Sequence, residues 1–186
     1  THYTSNAGLP ELREAVSDTL AREYDVRHAA DEILTTTGGM EALHLAVLAT
    51  VEPGGEVLLP SPSWPNYWTQ AKLADATPVE VPMPAPDYDL DAETLIAEMS
   101  EDTSLVILCS PSNPTGRVAD PDEVRAVVDA AADHGAYVIA DEVYAKLTYD
   151  RDPTGVAALT GHPDHVLTVG SCSKTYAMTG WRVGWL

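Results

Sequence analysis

Lys174 and Arg182 lie eight positions apart in the run Ser171-Cys172-Ser173-Lys174-Thr175-Tyr176-Ala177-Met178-Thr179-Gly180-Trp181-Arg182. A lysine whose surroundings depress its pKa attacks carbonyl carbon, and a Schiff base with an aldehyde is the usual product. The guanidinium of Arg182, with the hydroxyls of Ser171 and Ser173, suits a phosphate, because a planar fork of N–H donors matches two anionic oxygens. The spacing therefore predicts one ligand gripped at two points. A lone lysine and arginine in a polar segment would be solvated surface charge, but other segments bear on the same chemistry.

The apolar run Tyr137-Val138-Ile139-Ala140 delivers Asp141 at its C-terminal edge, where open α/β sheets place their ligands. Ser110-Pro111-Ser112-Asn113-Pro114-Thr115-Gly116 follows another such run, and its Asn-Pro and Gly expose a turn that presents the Asn113 amide at the same kind of edge. Thr36-Thr37-Gly38-Gly39-Met40-Glu41 joins a strand-like run to a helical one. Bare amides at a helix start bind phosphate with help from the helix dipole, and two glycines allow close approach. The third glycine of a dinucleotide fingerprint is missing. Trp64, in Ser61-Pro62-Ser63-Trp64-Pro65-Asn66-Tyr67, offers a flat face for stacking and equally suits a core or interface position.

Taken together, Ser171-x-Ser173-Lys174 with Arg182, Asp141-Glu142-x-Tyr144, and Asn113-Pro114-Thr115-Gly116 closely resemble motifs of the class I/II aminotransferases, which are fold-type I pyridoxal-5'-phosphate enzymes. The matching segments run from Tyr3 to Gly184. The resemblance implies that Lys174 carries the cofactor as a Schiff base. Asp141 faces the pyridine nitrogen, where a carboxylate keeps the ring protonated and a better electron sink. Asn113 and the Tyr144 hydroxyl meet the phenolic oxygen, and Trp64 stacks on the ring. The amides of Gly39 and Met40, with Ser171, Ser173 and Arg182, hold the phosphate.

Tyr3 precedes Ala7-Gly8-Leu9-Pro10-Glu11-Leu12-Arg13, which is similar to the family's Gly-x-Pro-x-Leu-Arg segment. Relatives use the equivalent tyrosine across a subunit boundary, which implies a homodimer with shared sites. The implied activity is transamination between an amino acid and a 2-oxo acid. A lyase or decarboxylase on the same fold, and the aminotransferase-like sensory domain of a transcription regulator, remain alternatives. The family's substrate-carboxylate arginine lies far downstream, in a smaller C-terminal domain this chain lacks, so residues 1–186 are expected to be a partial large domain, inactive alone.

Those residues need a scaffold. Strand-like runs at Ile33–Thr37, Glu56–Pro60, Thr77–Val81, Ser104–Cys109, Ala136–Asp141, Val166–Gly170 and Trp181–Leu186 alternate with helical patterns at Pro10–Tyr24, Met40–Thr50, Asn66–Ala74, Ala92–Met99 and Pro121–His134. Such alternation predicts an α/β fold with a mostly parallel sheet covered by helices. Leu12, Val16 and Leu20 form one stripe, Pro10 suits a first helical turn, and Asp120 is placed to cap a helix. The resemblance implies seven strands, with the last in sequence antiparallel and helices on both faces.

Composition limits the partners. A net charge of −19, from 29 acidic residues against ten basic ones, disfavours nucleic acid. It fits either a salt-rich cytoplasm, where screening relieves self-repulsion, or an ordinary acidic bacterial protein. Cys109 and Cys172 have neither disulfide-framework nor metal-ligand spacing, and no metal is expected. No apolar run approaches the roughly 20 residues that span a bilayer, and no leader pattern is visible. A cytoplasmic protein is expected. The chain opens at Thr1 without methionine and stops within an apolar run, and it reads as an internal piece of a longer protein.

Overall fold

A computed structural model describes residues 3–149 and 154–186. Its centre is a seven-stranded sheet of β1 (Thr35–Thr36), β2 (Glu56–Ser61), β3 (Thr77–Pro82), β4 (Thr103–Cys109), β5 (Tyr137–Asp141), β6 (Val166–Ser171) and β7 (Gly184–Trp185). The spatial order is β1-β7-β6-β5-β4-β2-β3. The β2–β6 strands are mutually parallel, and β7 runs antiparallel to both of its neighbours, β1 and β6.

The helices are α1 (Pro10–Tyr24), α2 (Gly39–Thr50), α3 (Pro65–Leu73), α4 (Ala92–Ala97), α5 (Pro121–Asp133) and the single turns α6 (Val156–Leu159) and α7 (Cys172–Thr175). Side-chain alternation splits each central strand between two cores. Val57, Leu59, Leu105, Ile107 and Ile139 join Leu43, Val47 and Tyr67 from α2 and α3. Leu58, Val106, Leu108, Val138 and Ala140 join Leu20, Leu95 and Val127 from α1, α4 and α5 on the opposite face. A sheet covered on both sides must be apolar on both sides, which is why these strands read as continuous runs.

The predicted helix ends hold to within two residues. Pro10 opens α1, and the Asp120 carboxylate accepts from the Asp122 amide at 2.9 Å as the cap of α5, a contact worth about 1 kcal/mol. The two outer predictions were too long. Ile33–Thr37 contributes only Thr35 and Thr36, and Trp181–Leu186 only Gly184 and Trp185. Trp181 ends a 3₁₀ turn and is 73% exposed, while Arg182 adopts a left-handed backbone at φ 53°, which breaks the strand before it starts. Among the described residues, no helix is long and apolar enough to cross a membrane.

Candidate active site

Parallel pairing aligns the C-terminal ends of β4, β5 and β6, with Cys109 beside Asp141 and Asp141 beside Val169. The loops leaving these ends carry Asn113, Tyr144 and Lys174 to one edge. Asn113 Nδ2 donates to the Tyr144 hydroxyl at 3.5 Å. Lys174 Nζ lies 5.7 Å from the centre of the Tyr144 ring, on the exposed side of the cluster.

Asp141 is 4% exposed. Burial pushes its carboxyl up from the usual range, while a hydrogen bond from the Tyr67 phenol to Oδ2, 2.6 Å, and one from the Val143 amide to Oδ1, 3.3 Å, oppose that rise. Among the described residues Asp141 makes no ion pair. A buried carboxylate with donors but no cation is a ready partner for a cationic ring N–H. Tyr67 was not singled out from the sequence. A signal was present, since a tyrosine three positions after Trp64 shares its helix face, and the two rings meet edge to face at 5.5 Å.

The second half of the site is a group of donors whose chemistry suits an anion. Gly39 and Met40 begin α2, so their amides have no intrahelical partner. Gly38 precedes them at φ +83°, and the Arg182 guanidinium packs against its α-carbon, where a Cβ would collide with it. Arg182 Nη2 donates to the Thr37 carbonyl at 3.4 Å, and Nη1 donates to the Thr179 carbonyl at 2.8 Å and the Ser173 hydroxyl at 3.4 Å. These donors and the ring site are adjoining, because a Cβ on Gly39 would lie 3.3 Å from Val143 Cγ1 and 3.4 Å from Ser171 Cβ.

Gly38→Ala would therefore combine a strained backbone with a displaced guanidinium. A loss of about 1–3 kcal/mol is expected, measured as a lower unfolding free energy in urea.

Ser171 also has a role within the turn itself. Its buried hydroxyl accepts from the Ser173 amide at 3.1 Å, capping α7, and donates to the Val183 carbonyl at 3.2 Å. It orients the turn that carries Lys174, with its donor already engaged. Trp64 is half-buried at the start of α3, packed against the α2/α3 core. Tyr3 is fully exposed. Cys109, whose thiol burial pushes up to about 12, and Cys172 are unpaired. Among the described residues, no group of acidic, histidine and cysteine side chains is arranged to hold a metal.

Glu142 follows Asp141 and accepts from the Val156 amide at 2.7 Å. Burial pushes its carboxyl up to about 7. A carboxyl raised in the folded state favours folding while protonated, so its contribution is full below the unfolded value of 4.5 and is lost as pH rises through about 7. Glu142→Gln keeps an acceptor for Val156 without the charge. Relative to wild type, the variant should gain stability progressively from pH 5 to 7.5 in denaturant titrations. A pH-independent difference would show the carboxyl to be unperturbed.

A family model described as aminotransferase class I and II matches residues 1–186. The chain is 43% identical over 189 residues to the bifunctional aspartate aminotransferase and glutamate/aspartate-prephenate aminotransferase of Petunia hybrida, a match covering 100% of this chain and 40% of that one. Aspartate aminotransferase from Thermus thermophilus, solved with maleate, superposes with a TM-score of 0.94 at 34% identity over 100% of this chain and 48% of that chain. N-Succinyldiaminopimelate aminotransferase from Mycobacterium tuberculosis gives the same TM-score and identity over 100% of this chain and 49% of its own. The chain thus spans less than half the length of each of these relatives.

Proposed function

Because this chain belongs to the aminotransferase class I and II family, matched over its whole length, we propose that the complete protein is a pyridoxal-phosphate-dependent aminotransferase. It moves an amino group between an amino acid and a 2-oxo acid. The observation that carries this reading is the convergence of a buried, cation-free carboxylate, the Asn113–Tyr144 pair and the Lys174 amine at one sheet edge, beside donors whose chemistry suits an anion.

The donor set fits the cofactor atom by atom. Asp141 would take the ring N–H, Asn113 and Tyr144 the phenolic oxygen, and Lys174 the aldehyde carbon. The Gly39 and Met40 amides with Arg182, Ser171 and Ser173 would take the phosphate, and Trp64 would stack on the ring. Ser171 also caps the turn that carries Lys174. When bound, pyridoxal phosphate supplies an electron sink for the charge left on the substrate carbon. The Lys174 amine would take and hold the proton of the substrate α-carbon, a general acid–base role. Asp141 would hold a proton on the ring nitrogen.

In this reading residues 1–186 are the cofactor-binding large domain, the substrate carboxylate is bound outside them, and the protein is a cytoplasmic homodimer in which Tyr3 reaches the partner's phosphate. Relatives whose names give different substrates superpose equally well on this chain, which supports a substrate side chain read elsewhere.

The test is the complete protein purified with pyridoxal phosphate. Borohydride reduction should leave the adduct mass on the peptide containing Lys174, and amino donors should yield 2-oxo acids in proportion to the acceptor consumed. Absence of the adduct would overturn the reading, and release of carbon dioxide instead would favour a decarboxylase.

A further inference from the structure

Asp141 depends on few donors. The Val143 amide reaches Oδ1 at a long 3.3 Å, whereas the Tyr67 phenol reaches Oδ2 at 2.6 Å. The thiol of Cys109, its neighbour on β4, donates instead to the Pro111 carbonyl at 3.3 Å. Tyr67 is 2% exposed, and burial together with the Asp141 charge raises its phenol far above its ordinary value, so it always has a proton to give. Its ring also meets Trp64 edge to face, 5.5 Å apart and 86° between planes. One side chain on α3 thereby touches both the acid and the proposed stacking ring.

We propose that Tyr67 is a positioning residue for the reaction: its hydroxyl orients the Asp141 carboxylate and keeps it ionised for the cofactor's ring nitrogen, and its ring sets the tilt of Trp64. This rests on the reading of the site given above. Burial raises the Asp141 carboxyl and the Tyr67 hydrogen bond opposes that rise, and a neutral acid would hold a ring proton poorly. Tyr67 prevents that without adding a charge of its own. A lysine or arginine in its place would compete with the ring nitrogen for the same carboxylate. The titratable groups packed around Asp141 are Tyr67 from α3, Cys109 from the end of β4, and Glu142 and Tyr144 from its own segment, with Lys174 beyond the Tyr144 ring. Only Tyr67 donates to it from a side chain among the described residues.

The test uses the complete protein and its Tyr67→Phe, Asp141→Asn and doubly substituted forms, with pyridoxal phosphate affinity measured from pH 5 to 9 by fluorescence. Phenylalanine keeps the ring, its volume and the contact with Trp64. Hydrogen bonds to charged groups predict that Tyr67→Phe weakens binding about 10- to 100-fold. The acid limb of the affinity profile should move toward neutral by about one pH unit, with kcat reduced and KM for the amino donor little changed. In the Asp141→Asn background the same change should have almost no further effect, since the two act as one unit. Wild-type affinity and acid limb in Tyr67→Phe, or effects that simply add, would overturn the proposal. Wild-type protein that fails to bind pyridoxal phosphate would instead remove the functional reading, and the role of Tyr67 with it.

Discussion

Lys174→Ala in the complete protein is expected to lower transamination about 10⁴-fold, the upper end of what one positioned acid–base group contributes. The side chain stands on the four-residue turn α7, held by the Ser171 cap, and faces the Tyr144 ring. Two tasks end with it: covalent capture of the cofactor and movement of the substrate proton. The ring and phosphate contacts proposed for Asp141, Asn113 and Arg182 lie on other residues, so pyridoxal phosphate should still bind, reversibly and without a borohydride-trapped adduct. Parallel measurements of turnover, equilibrium binding and peptide mass separate these outcomes. Retained turnover, or an adduct on Lys72 or Lys146, would remove the central assignment.

Asp141→Asn should produce a split between stability and activity. The asparagine oxygen can accept from the Val143 amide while its Nδ2 donates to the Tyr67 hydroxyl oxygen, so local packing survives. The cofactor-free protein should be as stable as wild type or more so at neutral pH, because burial works against the charge that the substitution removes. Activity should fall, because a ring nitrogen facing a neutral amide loses a buried ion pair. Removing one partner of such a pair costs about 3–5 kcal/mol, which corresponds to about 10²- to 10⁴-fold in kcat. Thermal unfolding of the cofactor-free variant and steady-state kinetics of the loaded one test the two halves independently. A large drop in melting temperature would make Asp141 a structural residue first.

The central strands were legible because a doubly covered sheet leaves no polar face: Val57-Leu58-Leu59 and Leu105 to Leu108 fill both cores. β1 and β7 were overdrawn for the opposite reason. Their apolar neighbours Ile33 and Trp181 serve packing and a 3₁₀ turn, and hydrophobicity does not distinguish these from ladder pairing. Within the site, residues delivered by strand ends were readable because the motif and the edge coincide, as at Asn113 and Asp141. Tyr67 was not, since its task is set by a partner 74 positions away, and only the sheet brings them together. Ser171 illustrates a finer limit. Its type suited an anion, but which neighbour occupies its hydroxyl is decided by the backbone of Ser173 and Val183.

The position of β7 has a further consequence for biosynthesis. It emerges from the ribosome after every other strand, yet it occupies the slot between β6 and β1, and β1 has no other partner in the sheet. A nascent chain that has not yet delivered Gly184 and Trp185 leaves β1 without a strand to pair with among the described residues. Arg182 arrives in the same step, so translation itself orders events: the β2–β6 parallel block can assemble first, and the guanidinium packs against Gly38 only once β7 has closed this part of the sheet.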